Sequence, residues 1–338
     1  MSVRFRLWEI VVALLNGRDD ARVASLIEQS VGARSSRWAE LVSLANAELV
    51  TAPVWSALRR CGLERMVPAD TADYLRSFHA FNVARNRAIL AQLFEFVSTL
   101  NSVGIEPMLL KGSAYLVAGL FPDVGDRYLS DIDVLVPEGE VGRAETALQG
   151  LGYRPASEID YTAHHHLVPM IHPERPAAIE LHRAPVPRYA RPAIPEAELW
   201  AHAELATAGN VRSRLASPTD TAMLSFMHSY VVDRDGALLL MPLRLFHDVH
   251  LLQQRHSRAI DWRRNYERAS SLDSAATLRR YLHVLHRLSG LELSGDLPRS
   301  VMDSAFFAVC AAAVAWPALA GWARPIDGYV RNRTLQRR

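Results

Sequence analysis

The apolar period changes twice along this chain, and the two changes limit the folds open to it. From Trp38 to Leu100 apolar residues recur at helical spacing, with Leu41, Leu44, Ala45 and Leu49 in one stripe and Leu75, Phe78, Leu90, Leu93, Phe94 and Val97 in a longer one. The longer stripe predicts a helix from near Asp70 and Thr71 to Gly104, a residue suited to a left-handed C-cap. Beyond Gly104 the pattern shortens to strand-like runs at 105–110, 131–136, 166–171 and 177–182, with an amphipathic helix over 138–151 between the second and third. Turn residues over 172–176 separate the last two runs. Four prolines between Pro185 and Pro195 then read as a linker. Helices return at Ser217-Pro218-Thr219-Asp220, where serine serves as N-cap, proline as first residue and aspartate as third. The expected fold is α+β, a small mixed sheet with two crossing helices between helical regions. Its expected divisions are 1–103, helical; 104–186, the mixed core; 187–216, the proline-rich linker; and 217–338, helical.

Composition narrows the partners. The 338 residues are enough for two or three domains and a full core. A net charge of +2, with basic residues scattered among 36 acids, argues against a nucleic-acid partner by bulk electrostatics. Cys61 and Cys310, far apart in apolar helical patterns, are expected to be buried thiols of a reducing, cytoplasmic setting. The stretch from Ser304 to Ala323 has no charge, but nine of its twenty residues are alanine and Pro317 and Gly321 interrupt it. Alanine contributes little to membrane insertion, so a buried helix is expected there and no membrane contact.

The residues that carry chemistry lie in the short-run region. Of 38 basic residues one is lysine, Lys111, in Leu-Leu-Lys-Gly-Ser. Ammonium and guanidinium are not interchangeable near phosphates. Gly112 and Ser113, at a strand end and helix start, offer N–H groups and a hydroxyl to phosphate oxygens. Asp131 and Asp133, two apart on a strand, project from one face. Such a pair is either two exposed acids at a solvated strand end or a pair that a divalent cation neutralises. Glu180 on a later strand supplies a third carboxylate.

Strand, Gly-Ser, helix, Asp-x-Asp strand and a later acidic strand resemble the polymerase-beta-like nucleotidyltransferase superfamily. More closely, Leu110-Lys111-Gly112, Arg127, Asp131-Ile132-Asp133-Val134-Leu135-Val136 and Glu180-Leu181-His182 resemble a family of bacterial nucleotidyltransferases with that signature, over nearly the whole chain. Two features depart from the wider superfamily: 19 positions separate Gly112 from Asp131, and the third acid is a glutamate. The resemblance implies a nucleotidyltransferase core and two-metal transfer. Asp131, Asp133 and Glu180 would then be metal ligands for Mg²⁺ or Mn²⁺ and catalytic groups, with a nucleoside triphosphate as donor. Lys111, Gly112, Ser113 and Arg127 would hold its phosphates. The acceptor would be a hydroxyl of a small molecule, peptide or protein. Sugar transfer from a nucleotide sugar, and a nucleotide-binding module without turnover, are the alternatives.

Histidines form a second cluster. A turn around Glu174 would set His166 opposite His182, and His182 shares a face with Glu180. His182 is therefore a candidate for contact with substrate or metal, whereas His164, His165 and His166 alternate in direction on a strand and cannot all ligate one ion. Asp220 is expected to cap a helix, and His228 and Asp248 to pack between helices. Each of Asp131 and Asp133 is expected to face a cleft, so that neutralising one would slightly raise the melting temperature without metal.

Overall fold

The structure, a computed structural model, describes residues 2–17, 20–158, 164–290, 292, 297–298, 300–319 and 321. Helical periodicity becomes helix where it was expected: α1 (Val3–Asn16), α2 (Asp20–Ser30), α3 (Ser35–Ala47), α4 (Thr51–Arg60) and α5 (Ala69–Ser102). Local chemistry sets the ends. The Ser2 hydroxyl accepts the Phe5 N–H at 3.2 Å to start α1, and Gly17, at φ 61°, ends it. The chain divides into two compact units, one of Met1–Phe78, Phe226–Ser257 and Trp262–Arg338, the other of His79–Ser225 and Arg258–Asp261.

The first unit is helical. It contains α1 to α4 and the start of α5, a π-helical turn (Met227–Val232), α10 (Leu243–His256), α11 (Trp262–Ser270), α12 (Ala275–Ser289) and α13 (Val301–Ala315). Trp38, Trp262 and Tyr281 are its largest fully buried side chains. A capping box of Ser300 and Asp303 opens α13, and Arg279 Nε donates to both Asp303 oxygens, at 3.1 and 2.7 Å. The expectation that this alanine-rich run is buried is corrected. Only Asp303, Cys310 and Ala313 of α13 are buried, while Val301 and Met302 stand 85 % and 57 % exposed. Alanine gains so little from leaving water that nothing draws the whole circumference inside. Residues 320, 322 and 323 of that run lie outside the described residues. Among the described residues no helix is long and apolar enough to cross a membrane. Cys310 is buried as expected, whereas Cys61 is only half-buried.

Among the described residues the second unit is built on seven strands: β1 (Met108–Leu109), β2 (Asp131–Leu135), β3 (Arg154–Pro155), β4 (Met170–Ile171), β5 (Ala178–His182), β6 (Glu204–Ala208) and β7 (Val211–Leu215). Their order is β3-β4-β5-β2-β1-β7-β6. β2 runs parallel to β5 and antiparallel to β1, so the sheet is mixed, as the α+β reading requires. Two helices accompany these strands, α6 (Lys111–Val117) after β1 and α7 (Val141–Gly150) after β2.

The segment 187–216 is no linker. It holds a 3₁₀ turn (Arg188–Ala193), α8 (Glu196–Ala201) and the β6–β7 hairpin, and β7 joins the sheet parallel to β1. Its prolines sit where they cost no bond: Pro187 and Pro195 precede helical turns, and Pro192 lies in a 3₁₀ turn. The boundaries expected at 103, 186 and 216 therefore do not mark the compact units. α9 (Pro218–Phe226) begins as expected, with the Ser217 hydroxyl donating to Asp220 Oδ2 at 2.6 Å and accepting the Asp220 N–H at 3.2 Å.

Polar groups on α5 tie the sheet unit together. Gln92, 1 % exposed, donates from Nε2 to the Ala177 carbonyl at 2.7 Å and accepts the Ala177 N–H at 3.2 Å. Asn86 donates to the carbonyls of Val124 (2.6 Å) and Arg127 (2.7 Å), and Asn82 to that of Gly125 (2.6 Å). Buried backbone carbonyls outside a ladder need such partners.

Candidate active site

The register of β2 and β5 creates the site. Asp133 lies beside Glu180, Asp131 beside Ala178 and Leu135 beside His182. Alternation along the strands turns Ile132, Val134, Ile179 and Leu181, each fully buried, onto one face. There they pack with Leu93, Phe96 and Leu100 of α5 and Ala144 and Leu148 of α7. One face is filled by this apolar layer, so Asp131, Asp133, Glu180 and His182 share the other.

The chain turns sharply where β1 meets α6. Lys111 has φ 49°, a left-handed conformation that costs a residue with a side chain about 1–2 kcal/mol. Its ammonium donates to Asp133 Oδ1 at 2.7 Å, and His182 Nε2 lies 2.9 Å from the same oxygen. His182 Nε2 is also 3.7 Å from Glu180 Oε2. Asp133 and His182 are buried, Glu180 and Asp131 half-buried. Ser130 donates its hydroxyl to Asp131 Oδ1 at 3.0 Å.

Electrostatics separates the two adjacent carboxyls. Burial pushes Asp133 up, but the Lys111 charge and the His182 hydrogen bond outweigh it and hold the group below the usual carboxylate range. Burial pulls Lys111 down, and the Asp133 charge and hydrogen bond more than restore it. Burial first, and then the Asp133 charge, push Glu180 up to about 7, against the pull of Lys111. One acid is thus fixed as a carboxylate, and its neighbour exchanges its proton near neutrality.

This has a measurable consequence for stability. A glutamate whose folded value lies above its unfolded one stabilises the fold fully below the unfolded value and loses that contribution as pH rises through the folded value. In chelator-treated protein, Tm should fall between about pH 5 and about pH 8 more steeply for wild type than for Glu180→Gln. Parallel melting profiles for the two proteins across that range would contradict the assignment.

Other residues fall less simply. Gly112 sits close under its neighbours: a Cβ there would lie 3.2 Å from Leu129 Cγ, so Leu129 would have to shift, and 3.8 Å from the Arg127 guanidinium carbon. Arg127 is buried beside it and donates from Nη1 to the Tyr128 carbonyl. The Ser113 hydroxyl, expected on phosphates, is 1 % exposed and donates to the Leu110 carbonyl at 2.7 Å, with the Asp133 carbonyl at 3.1 Å. It braces the β1–β2 strand ends and faces no open space. Lys111, expected on phosphates, lies on Asp133.

The carboxylates that converge also differ from expectation. Single ligand atoms of Asp133, Glu180 and His182 all lie within 4.8 Å of one another, while Asp131 stands two residues earlier, at the start of β2. His166 does bridge to His182 in antiparallel fashion, as the turn around Glu174 required. Its ring lies 5.3 Å from the His182 ring, as does that of His165. Asp220 lies in the first turn of α9 and bonds the capping Ser217 hydroxyl. His228 and Asp248 belong to the helical unit, where His228 Nε2 is 3.4 Å from Asp233 Oδ2 and Asp248 is buried. The fixing of α5 by Asn82, Asn86 and Gln92 escaped sequence reasoning, although polar residues interrupting the apolar stripe of a long helix were its visible sign.

The chain gathers acids on one face of two parallel strands of a mixed sheet, and its class, shown by the family model it matches, is nucleotidyltransferase. More particularly, residues 34–290 match the family described as uncharacterised nucleotidyltransferase, and the chain belongs to it. No curated protein matches the sequence. Among solved structures it is similar to the antibiotic-resistance factor ANT(2'')-Ia, at 15 % identity over 58 % of this chain and 96 % of that one, with a TM-score of 0.37. A likeness that low carries neither substrate nor mechanism across.

Proposed function

We propose that the enzyme moves a nucleoside monophosphate from a nucleoside triphosphate to a hydroxyl of a small molecule, peptide or protein, releasing diphosphate. The observation that carries this reading is the side-by-side register of Asp133 and Glu180 beneath Lys111, on the face that the apolar layer leaves open. Asp131, Asp133 and Glu180 are the residues that would hold Mg²⁺ or Mn²⁺, hard cations that prefer carboxylate oxygen. The donor set fits, since ligand atoms of Asp133, Glu180 and His182 already lie within 4.8 Å of one another and Asp131 shares their strand face.

When bound, such an ion supplies charge neutralisation for the phosphates and a lowered pKa for the acceptor hydroxyl. Burial and the Asp133 charge raise Glu180 to about 7 in the metal-free protein, so binding an ion would expel its proton and Glu180 would act as a carboxylate ligand beside the acceptor hydroxyl. Asp133 stays ionised throughout and is oriented by His182. Arg127 beside Gly112 places a permanent cation for the phosphate tail. Positioning and charge compensation then carry most of the catalysis.

The test is incubation of the protein with each α-labelled nucleoside triphosphate, Mg²⁺ and extracts fractionated by size. Acceptor-dependent release of diphosphate with label in the product is expected. Transfer of a sugar from a nucleotide sugar, with no label moved from any triphosphate, would overturn the reading.

A further inference from the structure

We propose that His79, Asp123 and Asp126 form a second metal site, distinct from the sheet carboxylates, that takes a zinc-class ion and staples the 123–127 loop to α5. His79 Nε2 lies 3.5 Å from Asp123 Oδ1 and 3.4 Å from Asp126 Oδ1, and the three ligand atoms lie within 4.8 Å of one another. A protonated imidazole closing onto a carboxylate normally reaches about 2.7–2.9 Å. Ligand atoms around a tetrahedral ion at about 2.0–2.1 Å stand about 3.3–3.4 Å apart, close to the separation of His79 from each of the two carboxylates. One imidazole nitrogen with two carboxylate oxygens suits zinc better than magnesium, which favours octahedral oxygen.

The surroundings are built to bring these atoms together. His79, Asn82, Val83 and Asn86 lie on one face of α5 at helical spacing. Asn82 and Asn86 hold the loop by the carbonyls of Val124, Gly125 and Arg127. Gly125 allows the approach: a Cβ there would come to 2.6 Å of Val83 Cγ2 and 3.1 Å of both His79 Nε2 and Asp123 Oδ1. The Gly125 N–H donates to Asp123 Oδ1 at 2.7 Å, an outer contact of the kind that orients metal ligands. Asp126 and His79 are 4 % and 12 % exposed, whereas Asp123 is 48 % exposed and leaves the ion a way in and a side open to water. The staple acts on the loop that ends in Arg127 and Leu129, the two side chains that close over Gly112.

Full-length Glu180→Gln, in which the sheet site has lost a ligand, is stripped by chelator and titrated with Co²⁺. The expected result is one equivalent bound with the intense visible absorption of tetrahedral cobalt, displaced by Zn²⁺ and not by Mg²⁺. Adding Asp123→Ala or His79→Gln should weaken that binding by more than the 10–100-fold that loss of an outer partner costs. Asp123 is exposed, so its replacement keeps the fold, and circular dichroism verifies this. Absence of the cobalt spectrum in Glu180→Gln, or its persistence at unchanged affinity in the Asp123→Ala double variant, would overturn the proposal.

Discussion

Asp133→Asn is expected to abolish transfer and also to lower the melting temperature of metal-free protein, whereas Asp131→Asn should abolish transfer and leave the melt close to wild type. The difference follows from burial. Asp133 is 2 % exposed and receives both Lys111 Nζ and His182 Nε2 on one oxygen. Removing its charge leaves the Lys111 ammonium facing an amide, but Lys111 is only half-buried, so the loss is that of a charge-assisted hydrogen bond, about 1.5–3 kcal/mol. For a chain of this size that corresponds to a fall of about 5 °C. Asp131 is half-buried and bonded to Ser130, so it has no such debt. Thermal melts of the two variants in chelator, beside a label-transfer assay, check both halves. Equal melts would show that the Lys111–Asp133 pair adds nothing to stability; retained turnover in either variant would remove these acids from the mechanism. Spacing alone led to the opposite expectation, that neutralising either acid relieves repulsion and stabilises; the contact of Lys111 with Asp133 is what reverses the expected sign at Asp133.

Lys111→Arg should lower kcat/KM by about 10–100-fold while leaving Tm nearly unchanged. Charge is conserved, so the fold keeps a cation opposite Asp133. Shape is not conserved. The ammonium is a compact donor that shares Oδ1 with His182 from a residue held at φ 49°. A planar guanidinium that pairs through two nitrogens cannot enter that shared position without displacing His182 or covering Glu180. Loss of one charge-assisted contact costs about 1.5–3 kcal/mol, which is the predicted fall in rate. Steady-state kinetics and a melt of the same preparation separate the outcomes. Wild-type kcat and KM would make the single lysine an accident of an arginine-rich composition. A large fall in Tm would mean that the pair is structural first.

Much of the architecture was legible because it rests on local rules. The spacing of Leu75, Phe78, Leu90 and Leu93 announced α5, and Ser217-Pro218 with Asp220 announced the start of α9. The alternation of Asp131, Ile132, Asp133 and Val134 placed the acids on one strand face, and the apolar residues between them are the ones the core takes. The hairpin at 204–215 was hidden because its residues are mostly exposed and its pattern is weak. Pairing of β7 with β1 joins segments about a hundred residues apart, which periodicity does not report. The exposed alanines of α13 were misread for a related reason: low polarity says that a residue can be buried, and the surrounding packing says whether it is.

At the site, sequence by itself singled out the side chains proposed to carry the chemistry: Lys111, Gly112, Arg127, Asp131, Asp133, Glu180 and His182 lie on or next to the β1–β2–β5 strands, and local spacing set which of them share a face. Only the tertiary structure decided their partners. Lys111 meets Asp133, His182 joins Asp133 and Glu180, Ser113 turns to backbone carbonyls, and His79 meets Asp123 and Asp126. Residue type and period act over a few positions along the chain. Charge compensation and proton affinity depend on distance and burial in space, which are fixed only when strands far apart in sequence come into register and a helix closes over them.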